Sequence, residues 1–204
     1  MASMLPPNTP IEKSELLTMF KPQSGIEVKI LDEKHDMVPP GEVGHLLIRS
    51  PFTMQGFLDN KELTDQIKPR HGWVETGDLG IVTNDGYVKV VGRTRDVISR
   101  GSSKIYPQTL EKMISAHPKV DKVVVVGVPD AKFLNEVCAC IIAKKDTGLS
   151  QDELNDFCEE QTIGPDSLLK PKYYYFMKQF PSGITGKVDR KAVCEQAVAH
   201  LGLK

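Results

Sequence analysis

Gly92-Arg93-Thr94-Arg95-Asp96-Val97-Ile98-Ser99-Arg100-Gly101-Ser102-Ser103-Lys104-Ile105-Tyr106-Pro107 separates two halves of this chain that are patterned differently. Upstream, residues 25–31 (Gly-Ile-Glu-Val-Lys-Ile-Leu) alternate apolar and polar side chains, as a half-buried strand does. Residues 35–41, with Pro39-Pro40, predict a turn, and residues 43–49 predict a second strand. Residues 79–83 and 87–91 flank Asn84-Asp85-Gly86, a strong hairpin signal. Residues 25–91 therefore predict a small antiparallel β unit with no helix before about residue 61. Residues 1–24 hold Pro6, Pro7, Pro10 and Pro22 and predict loop with one short turn of helix.

Downstream of Gly92 the period changes. Residues 107–117 predict a helix stopped by Pro118. Residues 120–128 form a nearly continuous β-branched run, the pattern of a strand buried on both faces. Residues 129–135 predict a loop and residues 136–143 another strand. Ser150-Gln151-Asp152-Glu153 is a capping box that opens a helix to about Gln161. Residues 171–177 predict a strand and residues 189–200 a final helix. The order β-β-α-β-β-α-β-α predicts a compact α+β unit after a β unit, so the class is α+β. The boundary falls between Gly92 and Asp96, with 1–92 and 93–204 as the two domains.

The composition narrows the function classes. A formal net charge of −1 over 204 residues supplies no general field for nucleic acid or an anionic membrane. No apolar run is long enough to span a bilayer. The first residues, Met1-Ala-Ser-Met-Leu-Pro-Pro7, show no targeting signal. Cys138 and Cys140 alternate within a predicted strand and should share one face as small buried thiols, reduced as in an intracellular compartment. Cys-x-Cys without matching His or Cys spacing is poor zinc evidence.

Three stretches carry possible chemistry. In Trp73-Val74-Glu75-Thr76-Gly77-Asp78 the glycine lets backbone approach a ligand, and the Asp78 carboxylate can accept two ribose hydroxyls or, as a turn residue, cap its own backbone. Arg93 can bond the same ribose, pair with Asp78, or be an exposed edge arginine. Arg95 and Asp96 are a charged pair between two folding units, suited to a hinge or to a plain polar linker. Gly101-Ser102-Ser103 is a loop with little likeness to a phosphate nest. Finally, Pro181-Ser182-Gly183-Ile184-Thr185-Gly186-Lys187 puts a lysine in a turn-rich segment. Such a lysine is either a surface cation or one delivered to a carboxylate and phosphate.

Taken in order, these stretches resemble the adenylate-forming superfamily of acyl-CoA synthetases, luciferases and peptide-synthetase adenylation domains. Residues 41–57 resemble the family's GELxxRxxxxMxGY segment, residues 73–78 its WxxTGD motif, residues 92–111 its GRxxDxIxxxGxxIxPxxxE hinge motif and residues 181–187 its PxxxxGK motif. Residues 136–141 and 170–173 resemble the medium-chain acyl-CoA synthetase branch. The resemblance implies that Asp78 and Arg93 hold the ribose of ATP or AMP, that Arg95 is the hinge, and that Lys187 serves acyl-AMP formation. It also implies that the lid beyond the hinge turns to admit CoA past Gly101 and Ser102. The family usually has glycine where Ser102 stands and Gly-Glu where Asn135-Glu136 stand. Its phosphate loop, acyl pocket and Mg2+-binding glutamate motif are not found in these 204 residues. The resemblance thus implies the C-terminal portion of a carboxylic acid–CoA ligase, inactive or nearly so alone, in a mitochondrial or cytoplasmic setting. A truncated non-catalytic module that binds a full-length synthetase is the alternative.

Overall fold

The computed structural model describes residues 3–4, 19–68, 71–161 and 170–203, and the chain divides into two compact units, Met1–Arg95 and Asp96–Lys204. The strands of the first unit are β1 (Ser3–Met4), β2 (Met19–Pro22), β3 (Glu27–Leu31), β4 (Gly44–Arg49), β5 (Val74–Val82) and β6 (Val88–Arg93). Helix α1 (Lys61–Ile67) lies between β4 and β5 in sequence. The strands form a six-stranded sheet in the order β1-β2-β6-β5-β4-β3, every neighbouring pair antiparallel. Alternation places Ile30, Leu46 and Val88 in one buried cluster, against which Phe20, Val28, Val38 and Val82 pack.

Two expectations for this unit change. Met19–Pro22 is a strand rather than loop, pairing with Val88 and Lys89 on one side and with Ser3–Met4 on the other. So short a ladder has no alternation to read; the open edge of β6 recruits it. Residues 1–2 and 5–18, including Pro6, Pro7 and Pro10, lie outside the described residues. The first hairpin arm also starts earlier than expected, since β5 runs unbroken through Thr76-Gly77-Asp78.

In the second unit, β7 (Ile98–Arg100) and β8 (Ser103–Ile105) form a hairpin, followed by α2 (Pro107–Ser115), β9 (Val120–Asp130), β10 (Leu134–Ala143), α3 (Gln151–Gln161), β11 (Tyr173–Phe176) and α4 (Arg190–Leu201). The three-stranded sheet has the order β11-β10-β9. Here β10 is antiparallel to β9 and parallel to β11, so the crossover between β10 and β11 contains α3. One face packs Val125, Val137, Ala139 and Ile141 against Leu110, Ile114 and Leu154 of α2 and α3. The other packs Val124, Val126, Val128, Cys138 and Cys140 against Val193 and Ala197 of α4. The β-branched run is thus buried on both sides, and the two cysteines share a face.

The loop expected over 129–135 shrinks to a tight turn, because β9 reaches Asp130 and β10 begins at Leu134. The Asp130 Oδ1 accepts the Lys132 and Phe133 N–H groups at 2.8 and 3.0 Å and so closes the turn. Pro129 is tolerated because β9 is an edge strand.

Candidate active site

The first unit builds a carboxylate–guanidinium pair on a bulge. In the β4–β5 ladder His45 faces Leu79 and Leu47 faces Glu75, which leaves Leu46 alone opposite Thr76, Gly77 and Asp78. Extra residues on one strand bend it and re-aim its side chains. Thr76 Oγ1 donates to the Leu46 carbonyl at 2.9 Å and accepts the Asp78 N–H at 3.1 Å, which fixes the bulge. Gly77 takes φ +72°, a conformation that a side chain strains.

Asp78 then lies directly across from Arg93 in the β5–β6 ladder, and Arg93 Nε sits 3.0 Å from Asp78 Oδ1. Arg93 Nη1 donates to the Thr76 carbonyl at 3.3 Å. Asp78 and Arg93 are thus paired with each other. Both side chains keep solvent access, at 23 and 49%. Asp78 and Gly77 open onto a cleft of about 360 Å3 also lined by Glu33, His35, His45 and Glu75. That volume is within the range of small-molecule sites, and the lining is rich in acceptors for hydroxyl donors.

Arg95 is exposed on a single 3₁₀ turn, Thr94–Asp96, and is the last residue of the first unit. The turn is bounded by β6, which ends at Arg93, and by β7, which begins at Ile98.

In the second unit Gly101 and Ser102 are the two-residue tip of the β7–β8 hairpin, both exposed, with Gly101 at φ +59°. The Gly101 N–H donates to the Phe133 carbonyl at 2.8 Å, tying this tip to the β9–β10 turn. Lys187 lies on an exposed hairpin of its own. Ser182 bridges Val188, the Gly183 N–H donates to the Lys187 carbonyl at 2.9 Å, and the Asp189 N–H donates to the Pro181 carbonyl at 2.9 Å. Asp189 caps α4 by accepting the Lys191 and Ala192 N–H groups, both at 3.1 Å. The lysine therefore sits on a solvent-facing loop with a rigid exit.

Other side chains narrow the chemistry. Cys138 beside it and burial push the Cys140 thiol far above its ordinary range, and burial raises those of Cys158 and Cys194. Thiols held protonated are poor nucleophiles. Among the described residues no group of His, Cys, Asp and Glu is arranged to hold a metal ion, and no helix is long and apolar enough to cross a membrane. Glu111, Glu136 and Arg190 form side-chain ion pairs within the second unit. Glu111 and Glu136 fall within stretches that carry the family resemblance, but their partners lie far away in the chain, such as Arg190 with Glu111 across 79 residues, so their contacts are not legible locally.

Residues 109–187, which include the Glu111 helix and the Lys187 hairpin, match the AMP-binding enzyme C-terminal domain family. The human medium-chain acyl-CoA ligase ACSF2, mitochondrial, is 34% identical over 97% of this chain and 32% of its own length. The chain belongs to the adenylate-forming enzyme family. It spans about a third of the length of the curated acyl-CoA ligases it matches. Two adenylate-forming structures superpose with a TM-score of 0.82: the amide bond synthetase McbA of Marinactinospora thermotolerans, 30% identical over 91% of this chain and 37% of its own, and the o-succinylbenzoate CoA synthetase MenE of Bacillus subtilis, 27% identical over the same shares. The MenE structure holds its acyl-adenylate intermediate. One of these adenylate-forming enzymes is named for amide bonds and the other for CoA, so the shared fold leaves the final acceptor open.

Proposed function

We propose that this chain is the ribose-binding and lid portion of an ATP-dependent carboxylic acid–CoA ligase. In that reaction a carboxylate oxygen attacks the α-phosphorus of ATP and pyrophosphate leaves, giving acyl-AMP. The CoA thiolate then attacks the acyl carbon and AMP leaves, giving the thioester. Asp78 accepts the ribose hydroxyls and Arg93 steadies both carboxylate and ribose. Lys187, on its exposed hairpin, neutralises the α-phosphate and the incoming carboxylate as charge shifts between them. Rotation of the backbone at Arg95 then withdraws the lysine and lets CoA approach past Gly101 and Ser102. The observation that carries this reading is the Asp78–Arg93 pair at 3.0 Å, set on a bulge that holds a positive-φ glycine beside it.

Mg2+ would screen the triphosphate in the complete reaction, but the described residues do not form a site for it, and no step here runs through it. The working compartment in this reading is mitochondrial or cytoplasmic, consistent with four free cysteines. A second reading, a non-catalytic module that docks on a full-length synthetase, is favoured by Phe52 and Leu58, 87 and 92% exposed on the first unit.

The test is a chimera in which this chain follows the N-terminal two thirds of an acyl-CoA ligase relative. The 204-residue chain alone should give no acyl-CoA from carboxylic acid, ATP and CoA, because its residues include no phosphate loop. The chimera should turn over. Lys187→Ala should slow acyl-AMP formation by about 10²–10³-fold while leaving thioester formation from supplied acyl-AMP near normal. Equal slowing of both steps would overturn the lysine's role.

A further inference from the structure

Arg190 opens α4 three residues after Lys187, and its guanidinium reaches back into the second unit. Nη2 donates to Glu111 Oε1 at 2.7 Å and to the Val125 carbonyl at 2.9 Å, while Nε lies 3.5 Å from Asp96 Oδ2. Glu111 Oε1 also accepts the Val125 N–H at 2.8 Å. Both polar groups of Val125 are therefore held by this one charged pair. The three side chains are largely shielded, Arg190 at 26%, Asp96 at 17% and Glu111 at 18% exposed, so water competes weakly for the bonds. Arg190 thus joins α2, β9 and the residue that follows Arg95.

The surroundings of Lys187 are the reverse. Every residue from Ser182 to Val188 is exposed, and the hairpin is closed by its own backbone bonds. The direction in which the lysine leaves the unit is therefore set at the root of the hairpin, where Asp189 caps the helix and Arg190 begins it.

We propose that Arg190 is the positioning residue for Lys187, aiming its hairpin through Glu111 and transmitting the conformation of the Thr94–Asp96 turn to it through Asp96. The two contacts are unequal, and that suits the task. The short Glu111 bond holds the root in place, whereas the longer Asp96 contact is the one that yields when the backbone at the turn changes. The chemical consequence rests on Lys187 being the adenylation lysine; the mechanical claim does not.

The experiment is residue-resolved amide exchange on the 204-residue chain. Arg190→Gln should speed exchange at Gly183 and Asp189 by about tenfold, as loss of a charge-assisted hydrogen bond allows, while the mid-strand amides of Val137 and Ile141 change far less. Arg190→Lys keeps the charge opposite Glu111 and should recover most of the protection. Asp96→Asn leaves the Glu111 bond intact and serves if Arg190→Gln does not fold. It should speed the hairpin amides by about threefold with the strand amides unmoved. Unchanged hairpin exchange in Asp96→Asn, a uniform rise through the whole unit, or no recovery in Arg190→Lys overturns the proposal. A chimera indifferent to Lys187 would instead refute the lysine's chemical role and leave the exchange result standing.

Discussion

Arg93 and Arg100 lie seven residues apart in one stretch of sequence, and each pairs with a carboxylate on another strand, yet the two pairs do different work. Arg93 and Asp78 are 49 and 23% exposed; Arg100 and Glu136 are 18 and 1% exposed. The first pair stands in water, where such a bond contributes about 0–1 kcal/mol and exchanges readily for a ligand's hydroxyls. In the second, Nη2 donates to Oε1 at 2.9 Å and Nε lies at ion-pair distance, 2.8 Å, from Oε2, with the guanidinium 4.9 Å from the Phe133 ring centre. Asn135 Nδ2 adds a bond to the Ser99 carbonyl at 3.1 Å, so the β7–β8 hairpin is fastened to β10 by side chains on both strands. Accessibility rather than chemistry separates the exposed pair from the buried one.

The sharpest way to break this comparison is Arg100→Ala. It leaves the Glu136 carboxylate buried without its partner, which should cost the second unit about 3–5 kcal/mol. Urea denaturation followed by a second-unit probe would measure it. Arg100→Met combined with Glu136→Leu should recover most of that loss, because the penalty is the orphaned charge and not the missing attraction. A single variant within about 1 kcal/mol of the parent would place this pair with the exposed ones.

Arg93→Ala should do the opposite. Stability of the first unit should change by less than about 1 kcal/mol. In the chimera the KM for ATP should rise about tenfold, the worth of a charge-assisted bond to ribose. A large stability loss with unchanged KM would make Arg93 scaffold.

How much of this was legible in the sequence depended on how far apart the partners lie. Helix α2 announces itself by Pro107 at its first turn, its apolar period and Pro118 beyond it. Helix α3 is marked by Ser150, whose Oγ accepts the Glu153 N–H at 3.1 Å. The turn-rich setting of Lys187 was visible because glycine and proline act locally. The bulge at Thr76–Asp78 was not, since it exists only in the register against Leu46, 30 residues away from Thr76. Neither was strand Met19–Pro22, whose pairing is set by the edge it meets, nor the buried Arg100–Glu136 pair, whose carboxylate comes from a strand 36 residues on. Asp78 and Arg93 fall between these cases: both residues stood out, but only the strand register shows that their side chains meet.

The smallest effect tests a third pair, which shows what exposure does at the same hairpin that carries Glu136. Asp130 Oδ2 accepts from Lys172 Nζ at 2.7 Å while its Oδ1 closes the turn that places Phe133 against Arg100. The Lys172 ammonium, then the Phe133 and Lys132 N–H groups, pull the Asp130 carboxyl down from its ordinary 3.8 to about 2. A carboxyl that ionises at lower pH when folded stabilises the fold fully above its unfolded value, and the contribution disappears as pH falls through the folded one. Stability from this turn should therefore be complete above about pH 4 and gone near pH 2. Asp130→Asn should lower stability modestly at neutral pH, and the two acid-unfolding curves should converge as pH approaches 2. Parallel curves across that window would mean that the turn is held by its backbone alone. Arg100 would then keep its place through Glu136 without help from Phe133, and the buried pair would stand apart from its exposed neighbour even more sharply than the distances suggest.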